Sequence, residues 1–221
     1  MKGLILVLMV SWITHTSFAQ DTIYVNKYTE WVNKENAIEY AVATKIGQEQ
    51  IKVKYYALDG KLKRVENYQV YNEKQRIRNG NLVQFYPDGK RRREEIYDKD
   101  QCVEGKLWAE DGSELPFKPY YKAPEFPGGK MNFARKLAAT IQYPSEARQQ
   151  KIEGRVILQF IIDLEGRITN PEVLVSAHPI LDEAALNTIK KVSKKSVWTP
   201  AKIEGESIPT YCVMPAHFRL P

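Results

Sequence analysis

The chain has 221 residues, 43% hydrophobic and 27% charged, with a formal net charge of +6 and a pI near 9.1. At about 150 residues per domain this is one or two domains with enough apolar content for a core, which excludes extensive disorder. Two cysteines allow one disulfide at most rather than a scaffold, and with three histidines they leave few ligands for a zinc site, so no metal or other cofactor is expected.

Lys2, the apolar run from Gly3 to Ile13 and the small-x-small triplet Ser17-Phe18-Ala19 before Gln20 predict a secretory signal peptide over residues 1–19. The run falls well short of the ~20 residues of a membrane-spanning helix, although an uncleaved short anchor is the other reading. Cleavage after Ala19 places the mature chain in the periplasm, with His178 and His217 as its histidines. In that compartment Cys102, in a polar turn-like stretch, and Cys212, in a strand-like run, are either bridged or two unpaired thiols.

Residues 20–114 are polar, studded with aromatic residues and punctuated by Asp59-Gly60, Asn79-Gly80, Asp88-Gly89 and Asp111-Gly112. These pairs suit two-residue hairpin turns because both residues tolerate positive φ, and the runs before three of them (IKVKYYAL, NLVQFYP and KLWAE) read as strands. Trp31 to Tyr40 is read as a loop leading into the first strand. Tyr55-Tyr56-x-x-Asp59-Gly60-Lys61, Phe85-Tyr86-x-Asp88-Gly89-Lys90 and Leu107-Trp108-x-x-Asp111-Gly112 recur, as in an array of units sharing one antiparallel sheet. This recurrence resembles MORN-type repeats, glycine-rich hairpins with aromatic residues. The aromatic side chains either cover one face of that sheet or form a platform for a peptide or glycan.

Residues 115–129 carry Pro116, Pro119, Pro124 and Pro127 and read as a linker between two units. Pro127-Gly128-Gly129-Lys130 lacks the spacing of a phosphate loop and reads as a turn before a helix. Residues 130–221 read as α+β. Phe133, Leu137 and Ile141 mark a helix face that Tyr143-Pro144 interrupts, and Ser145 to Gln150 resumes a helical turn. Val156 to Ile162 is a buried strand, Asp163 to Gly166 a turn, and Arg167 to Ala177 a partner strand made irregular by Pro171. A helix begins at Pro179, with Leu181, Ala185, Ile189 and Val192 as its stripe, acidic residues at its start and lysines at its end. Trp198-Thr199-Pro200 stops it, and Ile208 to Leu220 is a last strand in which Pro215 points to a sheet edge.

Neither His178 nor His217 lies near a serine or cysteine in a nucleophile motif, so the chain is not expected to be an enzyme. Arg91-Arg92-Arg93 followed by Glu94-Glu95 reads as a solvated face. Interleaved acids and export argue against nucleic acid as a partner. Anionic envelope polymers fit the surplus charge better, if it has a partner beyond solvent.

The order Tyr143-Pro144-x-x-Ala147-Arg148, Ile152-Glu153-Gly154-x-Val156, Phe160, Asp163-x-x-Gly166-x-Ile168, Leu181-Asp182-x-Ala184-Ala185-Leu186, Trp198-x-Pro200 and Pro215-x-x-Phe218 resembles the TonB C-terminal domain. The lead-in Phe126-Pro127-Gly128-Gly129 is similar to the version common in Bacteroidetes-type bacteria. The resemblance implies helices packed on a small antiparallel sheet that takes up a peptide of an outer-membrane receptor by strand addition. Force from the ExbB/ExbD inner-membrane complex then drives uptake of siderophores, vitamins or glycans. The contact carries over to Gln142, Tyr143 and Pro144 and to the strand holding Tyr211, Cys212, Val213, Met214, Pro215 and Phe218. The family's long spacer is not matched, because Pro116 to Gly129 reaches only about 45 Å at ~3.1 Å per residue. Two functions therefore stand: energy transduction at a receptor, or a non-energised periplasmic adaptor holding two envelope proteins.

Overall fold

The structure, a computed structural model, describes residues 22–26, 32–72, 75–194 and 196–220. The signal peptide expected over residues 1–19, and Trp31 at the head of the expected loop, lie outside them. The fold class is α+β, with few helices and antiparallel sheets, and the chain divides into two compact units, Met1–Lys122 and Ala123–Pro221. Among the described residues no helix is long and apolar enough to cross a membrane.

The first unit is a seven-stranded antiparallel meander of β1 (Thr22–Val25), β2 (Glu39–Lys45), β3 (Gln50–Ala57), β4 (Leu62–Asn72), β5 (Gln75–Phe85), β6 (Arg91–Asp98) and β7 (Gln101–Leu107), in that spatial order. Strands form because apolar and polar side chains alternate: in β3, Ile51, Val53 and Tyr55 are buried while Gln50 and Lys54 are exposed. β1 precedes the segment expected to lead into the first strand, so that segment, with a 3-10 turn at Lys34–Asn36, leads into β2 instead.

The Asp-Gly pairs do close hairpins, with one residue more than a two-residue turn. The Gly60 N–H donates to the Ala57 carbonyl at 2.9 Å and the Ala57 N–H to the Lys61 carbonyl at 2.8 Å, while the Asp59 carboxylate accepts the Lys61 N–H at 3.1 Å. Gly60, at φ 89°, is the left-handed residue that follows a type I turn and forms a bulge. Tyr86–Lys90 and Ala109–Ser113 repeat the same bonds. Asn79-Gly80 closes no hairpin: it lies inside β5, where the register with β4 shifts between Arg78 and Leu82. Lys99-Asp100, at φ 47° and 67°, is the two-residue turn and joins β6 to β7.

Residues 115–122, within the stretch read as a linker, lie on the sheet. The Leu115 N–H donates to the Leu107 carbonyl at 2.8 Å and Arg93 Nη1 to the Lys118 carbonyl at 2.5 Å. The Glu95 carboxylate accepts the Tyr120 N–H at 2.8 Å, and the Tyr97 hydroxyl accepts the Tyr121 N–H at 2.9 Å. Tyr120 and Tyr121 are 4% and 5% exposed, and Tyr121–Lys122 forms the short strand β8. Proline fixes an extended φ, which suits a chain laid along a sheet as well as one crossing solvent. Tyr121→Ala should therefore destabilise the first unit by about 3 kcal/mol, by loss of a buried ring and of its stacking 3.9 Å from the Arg78 guanidinium. Hydrogen exchange would report faster exchange of the β6 amides; unchanged protection would mean that the segment contributes nothing to the unit.

The second unit holds α1 (Gly129–Thr140), α2 (Ser145–Gln149), β9 (Gly154–Ile162), β10 (Ile168–Val175), α3 (Pro179–Ser193), β11 (Ala201–Ile203), β12 (Glu206–Ile208) and β13 (Thr210–Phe218). Phe133 and Leu137 of α1, alternate residues Val156, Leu158, Phe160 and Ile162 of β9, the α3 stripe and Trp198 form one core. The glycines after Pro127 turn the chain into α1, with the Gly129 N–H donating to the Phe126 carbonyl at 2.7 Å. His178 caps α3, its Nδ1 accepting the Ile180 N–H at 3.3 Å. The last strand starts later than its hydrophobic pattern indicates: Ile208 ends the β11–β12 hairpin and β13 begins at Thr210, beyond Pro209.

Candidate functional site

β9 is the centre of a three-stranded antiparallel sheet whose edges are β10 and β13. The edges differ. β10 loses register with β9 twice, between Thr169 and Glu172 and between Val173 and Val175, around Pro171 and Asn170 at φ 48°. Such breaks blunt an edge against further pairing. β13 instead pairs with β9 residue for residue, from Thr210 opposite Ile162 to Phe218 opposite Gly154.

Pro215, opposite Ile157, sits inside this unbroken register. A proline can do so only where its missing N–H would have pointed away from the partner strand. Val213 and His217 share its parity, so their N–H and C=O groups are directed to the outer side of β13. Ala216 and Phe218 are buried, and Cys212 and Met214 pack partly buried against the same core. Tyr211, Val213 and Pro215 stand on the opposite face. Of the β13 residues expected at the contact, Tyr211, Val213 and Pro215 thus present side chains away from the core, while those of Cys212, Met214 and Phe218 pack into or against it.

Tyr143 joins the two expected segments: its ring meets Phe218 edge-on at 5.8 Å and its hydroxyl donates to the Ile152 carbonyl at 2.6 Å. Gln142 turns to α3, its Oε1 accepting from Lys191 Nζ at 3.0 Å. Gln142, Tyr143 and Pro144 form one wall of a groove of about 560 Å³ whose other wall is α3. Its Lys190, Lys191 and Lys194 had been legible in the sequence only as complements of the helix dipole, since facing another segment is a tertiary property.

A second cluster lies in the first unit. Arg64 Nε donates to Glu66 at 2.6 Å, Arg64 Nη1 to Glu39 at 2.8 Å, Arg78 Nε to Glu66 at 2.9 Å and the Tyr68 hydroxyl to Glu66 at 2.5 Å. The Arg64 guanidinium stacks 3.6 Å from the centre of the Tyr55 ring. On β6 the arrangement recurs, with Arg93 bonded to Glu95 and the Tyr97 hydroxyl donating to Glu95 at 2.6 Å. The run read as a solvated face is therefore split: Arg93 and Glu95, two residues apart on one face of β6, are buried, Glu94 between them points the other way, and Arg91, beyond the register shift at Gln84 and Phe85, faces water. The available signal was Asp-Gly-Lys-x-x-Arg-x-Glu-x-Tyr, present at Asp59–Tyr68 and again at Asp88–Tyr97.

On the other face, Tyr40 and Tyr56 stack at 5.1 Å and 14°, with Tyr24 6.4 Å from Tyr40. Stacked across strands, these rings turn their faces to each other, as a sheet covering does. Cys102 and Cys212 form no disulfide. Burial pushes the Cys102 thiol up to about 11, with the Glu95 charge adding to it, so it stays protonated. Among the described residues no three His, Cys, Asp or Glu side chains converge on a metal position.

Residues 139–220 match the family described as Gram-negative bacterial TonB protein C-terminal. The NMR solution structure of Helicobacter pylori TonB-CTD, residues 179–285, is 24% identical over 41% of this chain and 79% of its own, with a TM-score of 0.35. A second, of residues 194–285, is 24% identical over 39% and 89%, with a TM-score of 0.30. No curated protein matches the chain.

Proposed function

We propose that the second unit binds an extended peptide of an outer-membrane TonB-dependent receptor, adding it as a fourth strand along β13, and that the chain serves TonB-dependent transport across the envelope. The match of residues 139–220 to the TonB C-terminal family supports this reading. The observation that carries it is the contrast between the two sheet edges, nine residues in continuous register on β13 against two register breaks on β10. Export to the periplasm with loss of residues 1–19, and coupling to an ExbB/ExbD-type complex, belong to the same proposal. The adaptor reading is favoured by the separate seven-stranded unit, which has its own core and lies outside the matched range. The kinship of that unit with MORN-type repeats is likewise proposed, on the recurrence of its Asp-Gly hairpins.

Main-chain pairing supplies the affinity of an added strand, so backbone donors matter more than side chains. Val213→Pro removes an outward donor without a bond to β9, and should weaken binding of receptor-derived peptides by at least about 50-fold. Val213→Ala should cost about threefold or less. Titration calorimetry on both folded variants decides it: equal affinity of Val213→Pro and the parent chain would remove β13 from the binding site.

A further inference from the structure

We infer that the groove between residues 142–144 and α3 holds an acidic stretch of the same peptide, next to the part that pairs with β13; this rests on the strand addition proposed above. The groove, at about 560 Å³, has the capacity of a site for several side chains. Lys190, Lys191 and Lys194 line it against a single acid, Glu183. Lys190 and Lys194 are one helical turn apart, a like-charge spacing that disfavours the helix unless a counter-charge is supplied. Among the described residues neither has a carboxylate within ion-pair distance, and Lys191 donates to a neutral amide, that of Gln142. The macrodipole of α3 favours Lys190 and Lys191 in its last turn and Lys194 at its C-cap, but it supplies no counter-charge inside the groove that they line together.

Continuity selects a peptide as the occupant. Tyr143 is both a wall of the groove and the edge-on neighbour of Phe218, the last residue of β13. A strand that follows β13 past Phe218 therefore meets the groove next. Its acidic side chains would face the lysines, while Gln142 and Asn187 offer amides to its backbone.

The test uses the full chain and three synthetic peptides at about 0.15 M salt, where exposed charges more than ~8 Å apart are screened. One is Thr-Val-Thr-Val-Thr-Val, the second adds three glutamates before it, and the third adds them after it. Affinity is read by titration and the contact by backbone amide shifts. One acidic peptide, and not the other, should bind roughly tenfold more tightly than the neutral one. That gain should vanish in the triple variant Lys190→Gln, Lys191→Gln, Lys194→Gln and survive in the corresponding triple arginine variant, with the Val213 and His217 amide shifts kept in both. An equal gain from either end, or a gain that survives the glutamine changes, would overturn the groove while leaving strand addition intact. Absence of β13 shifts with every peptide would instead overturn strand addition itself, and the groove proposal with it.

Discussion

Glu66→Ala should destabilise the seven-stranded unit by about 3–5 kcal/mol, because it leaves two buried guanidiniums without their shared carboxylate. Arg64 and Arg78 both donate to Glu66, as does the Tyr68 hydroxyl, and Glu66 is 1% exposed. Glu94→Ala, which removes a surface ion pair with Arg91, should change stability by less than about 1 kcal/mol. Urea unfolding separates the two, and comparable losses would mean that the buried network does not hold the unit together. Acid should expose the same dependence. Burial pushes the Glu66 carboxyl up, but the Arg78 and Arg64 charges and the hydrogen bonds from Tyr68 and Arg64 outweigh it and hold it at about 2, below its ordinary 4.5. Its contribution is thus complete above pH 4.5 and is lost as the pH falls toward about 2, where the folded form also takes up the proton. Glu66→Gln should flatten that part of the stability profile.

Gly166→Ala should be as damaging to the second unit, again by about 3–5 kcal/mol. Gly166 stands at φ 80°, and a Cβ there would collide with the backbone carbonyl of Trp198. Neither side can yield. The Trp198 N–H donates to the Gly166 carbonyl at 2.8 Å, and the indole is wedged 5.2 Å from the Phe126 ring and 4.9 Å from that of Phe133. Gly205, at φ 91° with nothing within 4 Å of a built Cβ, is the control, where alanine should cost only about 1–2 kcal/mol of backbone strain. Thermal unfolding of both variants tests the difference; a Gly166→Ala variant no weaker than Gly205→Ala would show that the Trp198 backbone gives way.

Particular residues show why some elements were legible in the sequence and others were not. The apolar spacing of α3 and the alternation of β9 are local and survive folding unchanged. Asn79-Gly80 satisfies the rules for a turn and for a bulge alike, because both ask for positive φ, and only the partner strand decides between them. Arg93 and Glu95 looked solvated because charge ordinarily stays in water, but in a strand every second residue shares one face. Tyr120 and Tyr121 were a better guide to their segment than the neighbouring prolines, since burying two rings outweighs what composition says about flexibility. For the candidate site, Pro215 pointed to the edge position that β13 occupies. The lysine-lined groove had no such local sign, because it exists only where the chain after α1 passes α3.

The continuous register of β13 also bears on how the chain behaves when crowded with its own copies. A sheet edge that can accept a foreign strand is equally a template for an identical one, the usual route to edge-to-edge aggregation. Pro215 interrupts the outward row of donors between Val213 and His217. A proline at that place breaks the row against open-ended growth into fibres, as gatekeeper residues do. On the proposed strand addition, solubility at high concentration and recognition of a partner would depend on the same nine residues, Thr210–Phe218, and on the placement of one proline among them.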